Sequence, residues 1–149
     1  MTDIYDKSKR SYVMSKVKSI DTKPEIIVRK YLHSKGLRFR LYNKKLPGTP
    51  DLTFPKYKTA IFINGCFWHG HKNCKYSELP KTNTNWWKNK IKKTTVRDKK
   101  AIRELKKIGY NTLTVWECDL KSGKKTTTLE KLYKLITNES KNDKKEKII

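Results

Sequence analysis

The run Thr59 to Asn64 is nearly all apolar, the pattern of a central strand covered on both faces. Any fold this chain adopts must pack elements above and below that strand. Apolar material for the purpose is scarce: Leu, Ile, Val and Phe make up 33 of the 149 residues. That share lies just above the ~20% at which strongly charged chains stay unfolded. Four Trp and eight Tyr argue for order, because disordered segments are poor in aromatics. One domain with a small core that needs additional support is the expectation.

The elements around the strand follow from periodicity and punctuation. A helix is predicted over Lys23 to Lys35, with Thr22 as N-cap, Pro24 in the first turn and Glu25 completing a capping box. Ile27, Val28, Tyr31 and Leu32 form its apolar stripe, and Gly36 stops it. Leu37 to Tyr42 alternates apolar and basic residues, as a strand with one wet face does; Asp51 to Phe54 is a short strand after the turn residues Pro47, Gly48 and Pro50. Beyond Asn64 comes an aromatic, Cys- and His-rich stretch without periodicity. A helix over Asn85 to Ile108, a strand over Tyr110 to Trp116 and a helix over Thr128 to Thr137 follow. A further short helix is expected over 11–17. The order fits one α/β domain over 11–138, a mixed sheet flanked by helices, between a polar arm (1–10) and a Lys-rich tail (139–149).

Lys and Arg number 37 against 14 Asp and Glu, a formal charge of +23. Such a surface repels itself and attracts polyanions, so a nucleic acid is the expected partner, with phosphate neutralisation supplying much of the affinity. No apolar run approaches the ~18 residues of a membrane span, and Met1 to Arg10 is too polar for a signal peptide. A cytoplasmic protein is expected, in a compartment where three cysteines do not form a disulfide framework.

Those cysteines point to a metal instead. Cys66, His71 and Cys74 lie within nine residues as C-x4-H-x2-C, and Cys118 follows the last strand. Three thiolates and an imidazole close a tetrahedral zinc shell of the structural kind, which would brace a thin core. Two other readings stand beside it: buried thiols packing as small hydrophobes, and His69 as the fourth ligand in place of His71. Whichever histidine is not a ligand is free to accept a proton. Asp51, between a turn and a buried strand, has two readings, a structural residue of the kind common at a turn exit or a group that meets a hard cation in a cleft, and Asn64 would lie beside it on the neighbouring strand. Glu25 and Asp98 also have structural readings, as cap and as salt-bridge partner on a Lys-rich helix. His33 reads as an ordinary helix histidine. Phe67 and Trp68 next to Cys66, with Trp86 and Trp87 ahead, have the makeup of an apolar wedge that kinks a duplex, or of packing beneath the loop.

The strings T-K-P-E (22–25), L-P-G-T-P-D (46–51), I-F-I-N-G-C-F-W-H-G-H (61–71), P-K-T-N (80–83), R-D (97–98) and V-W-E-C (115–118) come in the order of the very short patch repair (Vsr) mismatch endonucleases. The chain resembles that family over most of its length. The resemblance implies a restriction-endonuclease-like core with an added structural zinc site. It implies Mg²⁺ bound by Asp51 and by the backbone carbonyl of Ile63, His69 as the base that activates water, and Glu25 and Asp98 acting through metal-bound waters. Zinc would be held by Cys66, His71, Cys74 and Cys118. The wedge would be Phe67, Trp68 and a tryptophan aligned to Trp87, with Trp86 the neighbouring choice. The implied substrate is double-stranded DNA with a T·G mismatch, from deamination of 5-methylcytosine, nicked on one strand by a monomer to start very short patch repair. One departure matters: a well-known member has histidine where this chain has Asn64, which can hydrogen-bond a phosphate or water but takes no proton at neutral pH. A restriction enzyme cutting both strands and a zinc-stabilised DNA-binding protein without catalysis are the alternatives.

Overall fold

A computed structural model describes residues 20–121, 123–139 and 147–148. The expected arm, the short helix over 11–17 and most of the tail lie outside these residues. The first described helix, α1 (Lys23–Ser34), starts where the capping box places it. Thr22 Oγ1 accepts from the Glu25 amide and the Glu25 carboxylate accepts from the Thr22 amide, each at 3.4 Å. Val28 and Leu32 are buried, with Ile27 and Tyr31 packed partly buried against the same core. The predicted stripe is thus the inward face.

Three antiparallel strands follow: β1 (Arg40–Leu41), β2 (Leu52–Phe54) and β3 (Thr59–Asn64). The ladder of β1 is shorter than the predicted Leu37 to Tyr42, and the alternation holds only to Arg40: Leu37 is buried and Phe39 half-buried between exposed arginines, but Leu41 is exposed. Phe39 meets Phe54 edge to face at 5.6 Å. The helix α2 (Thr84–Lys107) crosses back to β4 (Asn111–Trp116), which pairs parallel with β3 from Thr59↔Asn111 to Asn64↔Trp116. Helix α3 (Lys125–Glu139) follows, and β5 (Lys147–Ile148) adds a parallel pair to β4. The sheet order is β1-β2-β3-β4-β5.

Alternation divides the sheet into two unequal faces. Leu52, Phe54, Ile61, Ile63, Leu113 and Val115 join Val28 and Leu32 of α1 and Leu132 and Ile136 of α3 in the main core. The other face carries Thr53, Ala60, Phe62, Thr112 and Thr114, and α2 covers it thinly. Across its 24 residues α2 buries only Trp87, Ala101 and Leu105. A close approach brings the turn before β2 to this helix. Gly48, at φ 75°, is so near that a Cβ there would lie 2.5 Å from Ala101 Cβ. A side chain would push the turn that carries Asp51 off α2.

Candidate active site and metal centre

Asp51 immediately precedes β2, and its Oδ2 accepts the Ile63 amide of β3 at 2.7 Å. In an antiparallel strand a residue's N–H and C=O face the same neighbour, so the Ile63 carbonyl is directed to the Asp51 side as well. Glu25, in the first turn of α1 and 3% exposed, lies beside Asp51, near enough to act on its carboxyl. Burial pushes the Asp51 carboxyl up to about 7; the Ile63 amide lowers it, and the adjacent Glu25 charge raises it further. Two carboxylates this close cannot both ionise easily unless a cation joins them. Glu25 therefore keeps its capping role and still faces the cleft.

The remaining predicted groups line the same cleft, of about 900 Å³. His69 Nδ1 lies 2.7 Å from Asp98 Oδ2. Asp98, on α2, thus pairs with this histidine, not with a neighbouring lysine. With Nδ1–H donated to the carboxylate, Nε2 is left as the accepting nitrogen. Asn64 also lines the cleft, but it pairs across with Trp116 of β4, so it is offset along β3 from Asp51 instead of lying beside it. Two groups not singled out from sequence complete the lining. Glu117, next to Cys118, adds a fourth carboxylate to Glu25, Asp51 and Asp98, and Arg97 is the single Lys or Arg. Arg97 is exposed and forms no ion pair among the described residues.

Tyr42 was also not anticipated. Its hydroxyl donates to Glu25 Oε2, lies against Arg29 Nη2 and accepts the Asp21 amide at 2.8 Å. Burial and the Glu25 bond push the phenol up to about 12, so it keeps its proton as a donor. No local pattern announces this contact, since 17 residues separate the partners.

Behind the cleft, Cys66, His71, Cys74 and Cys118 bring one ligand atom each to within 4.8 Å of one another. His71 Nδ1 is 3.5 Å from Cys118 Sγ, and its ring stacks on Trp116 at 4.0 Å. The structure therefore gathers His71 with the cysteines and leaves His69 in the cleft. Three sulfurs and one imidazole nitrogen suit a tetrahedral, borderline-soft cation, and the cluster could hold zinc. Ser77 fastens the loop by donating to the His71 carbonyl at 2.6 Å and the Cys74 carbonyl at 2.8 Å.

Between cluster and cleft the aromatics form one group. Phe67, Trp68 and Trp87 meet edge to face with centroids 5.1, 5.2 and 5.8 Å apart. Trp87 is buried among them; Trp86 touches Trp87 at 4.8 Å and is 57% exposed. Consecutive helical positions lie ~100° apart, so one tryptophan faces inward and the other outward.

A mixed sheet covered by helices, with carboxylates from two helices, the turn before β2 and the segment after β4 gathered in one cleft beside a Cys/His loop, has the restriction-endonuclease-like architecture. Comparison with known proteins narrows the class. The family model described as DNA mismatch endonuclease Vsr matches residues 2–75. The chain is 39% identical to the DNA mismatch endonuclease Vsr of Escherichia coli over 127 residues, 85% of this chain and 81% of that protein. It is 48% identical to the type II nicking enzyme V.NmeAIP of Neisseria meningitidis serogroup A over 136 residues, 91% and 95% of the two chains. Identity to the type II nicking enzyme V.XorIIP of Xanthomonas oryzae pv. oryzae is 44% over 120 residues, 80% and 88% of the two. The chain belongs to the Vsr family and is a DNA endonuclease. No helix among the described residues is long and apolar enough to cross a membrane.

Proposed function

We propose that this endonuclease acts in the cytoplasm, as a monomer on duplex DNA, and nicks one strand beside a T·G mismatch in a Mg²⁺-dependent hydrolysis that opens very short patch repair. The observation that carries the chemistry is the His69–Asp98 pair, 2.7 Å apart, facing the same cleft as the buried Glu25 and Asp51. Asp98 fixes the His69 tautomer, and Nε2 takes the proton of the attacking water. Asp51 and the Ile63 carbonyl hold Mg²⁺, with Glu25 beside them; the ion supplies polarisation of the phosphate and offsets charge on the leaving oxygen. Arg97 contacts a phosphate oxygen, a geometry its planar fork suits. Asn64 hydrogen-bonds the phosphate or a water and takes no proton. Cys66, His71, Cys74 and Cys118 hold structural zinc, which stiffens the loop bearing Phe67 and Trp68. Those two rings and Trp87 form the wedge at the mispair, with Trp86 at its exposed rim.

Duplexes labelled on each strand separately, matched or with T·G in several contexts, test this in Mg²⁺ and in EDTA. The expected product is a nick in one strand of the mismatched duplex alone, only with Mg²⁺. Cleavage of both strands would make this a restriction-type enzyme, and mismatch binding without cleavage a non-catalytic one.

A further inference from the structure

Glu25 is bonded more heavily than a helix cap requires. A capping box needs its carboxylate to meet only the N-cap amide, here Thr22 at 3.4 Å. Arg29 Nη2 also donates to the same oxygen at 3.1 Å, and so does the Tyr42 hydroxyl. All three donors converge on Oε2. Arg29 is in turn held by Asp21 Oδ1 at 2.7 Å, while the Asp21 amide donates to the Tyr42 hydroxyl at 2.8 Å. Asp21 and Tyr42 both adopt left-handed backbone angles, φ 53° and 46°, a conformation that costs non-glycine residues energy and persists where the surroundings enforce it.

We infer that Arg29 and Tyr42 are positioning residues for the cation site: by occupying Glu25 Oε2 they fix the orientation of the carboxylate in the cleft it shares with Asp51. The inference rests on the assignment of Glu25 to the Mg²⁺ site made above. A carboxylate bonded at one oxygen by a guanidinium and a phenol has one remaining orientation, so a divalent cation meets a fixed ligand and not a rotating one. Arg29 suits the task because its Nη2 meets both Asp21 Oδ1 and Glu25 Oε2, at a point one atom beyond the reach of a lysine side chain. Tyr42 suits it because the phenol donates without adding charge. Neither residue needs to touch DNA or the cation.

Tyr42→Phe and Arg29→Lys, each in the full chain, test this by three measurements. These are Mn²⁺ binding to the DNA-free protein by calorimetry, the Mg²⁺ dependence of nicking on a T·G duplex, and thermal unfolding with divalent cation withheld. Loss of a hydrogen bond that orients a metal-binding carboxylate should weaken Mn²⁺ binding about ten- to a hundredfold. The Mg²⁺ midpoint for nicking should rise by the same factor, and high Mg²⁺ should restore most of the rate. In Glu25→Ala chains, adding Tyr42→Phe should change nothing further, because the effect passes through Glu25. If Tyr42→Phe does not fold, Arg29→Lys carries the test. Folded variants whose cation binding matches the original chain overturn the inference, as does a loss confined to thermal stability. An original chain that neither binds Mn²⁺ nor needs Mg²⁺ overturns the reading of Glu25 itself, and this inference with it.

Discussion

Asp51 makes the pH dependence of the site predictable. Its carboxyl sits at about 7 because burial and the Glu25 charge disfavour ionisation, whereas in an unfolded chain it titrates near ~3.9. Between those values the cation-free folded protein holds a proton that the unfolded chain has lost. Its contribution to stability is therefore complete below the lower value and drains away as pH rises to about 7. At the proposed site Mg²⁺ would compete with that proton. The Mg²⁺ concentration for half-maximal nicking should fall as pH is raised towards about 7 and level off above it, which titrations at a series of pH values measure; a flat midpoint would remove Asp51 as the competing group. His69 gives a second prediction. His69→Ala should slow single-turnover nicking by ~10²–10⁴-fold, the usual contribution of a general base, and Asp98→Ala by less, with T·G binding in EDTA preserved in both. Nicking at the original rate in His69→Ala would mean that another group activates the water.

The Cys/His loop and helix α2 are fastened at few points, and substitutions there act on whole elements. Cys118→Ser removes the proposed zinc ligand that would join the end of β4 to the loop. It should release zinc and lower stability by several kcal/mol, on the order expected of a structural site, read by metal analysis and urea unfolding; a stable, active, zinc-free protein would disprove the metal assignment. Gly48→Ala places a Cβ 2.5 Å from Ala101 Cβ at a backbone angle suited to glycine. It should destabilise by about 1–3 kcal/mol and slow nicking as well, because the same turn carries Asp51; unfolding curves and nicking rates that match the original would show that the turn yields freely. The same elements mark what could be read in advance. Strand β3, the cap of α1 and the stop of α2 at Gly109 were legible because each has a local cause in period, cap or turn residue. The Cys/His cluster was legible by count, since only three cysteines exist. The choice between His69 and His71 was left open by residue chemistry, and the tight turn from Gly65 to His71 decides it. Trp86 and Trp87 could not be told apart without the helix rotation. Tyr42 on Glu25, and Arg97 among the many cations of α2, depend on tertiary contacts that no local pattern encodes.

At the scale of the molecule, two sources of affinity should separate. A chain carrying +23 binds any duplex by counterion release, an effect that fades with salt. The proposed wedge would add discrimination, because unstacking costs less beside a mispair. Trp68→Ala should reduce the preference for T·G over matched DNA and leave the salt slope of non-specific binding unchanged. Isotherms on both duplexes across a salt series check this, and an intact preference would return the ring to a packing role. The acid-lined cleft has a consequence of another kind. On a surface positive nearly everywhere, Glu25, Asp51, Asp98 and Glu117 form a negative hollow at the point of chemistry. In the proposed mechanism a phosphodiester entering that hollow would be repelled until a divalent cation arrived, and the cation would be held more firmly once the phosphate was there. Each ligand must strengthen the other by the same factor. An enzyme travelling along intact DNA would thus carry its own safety catch.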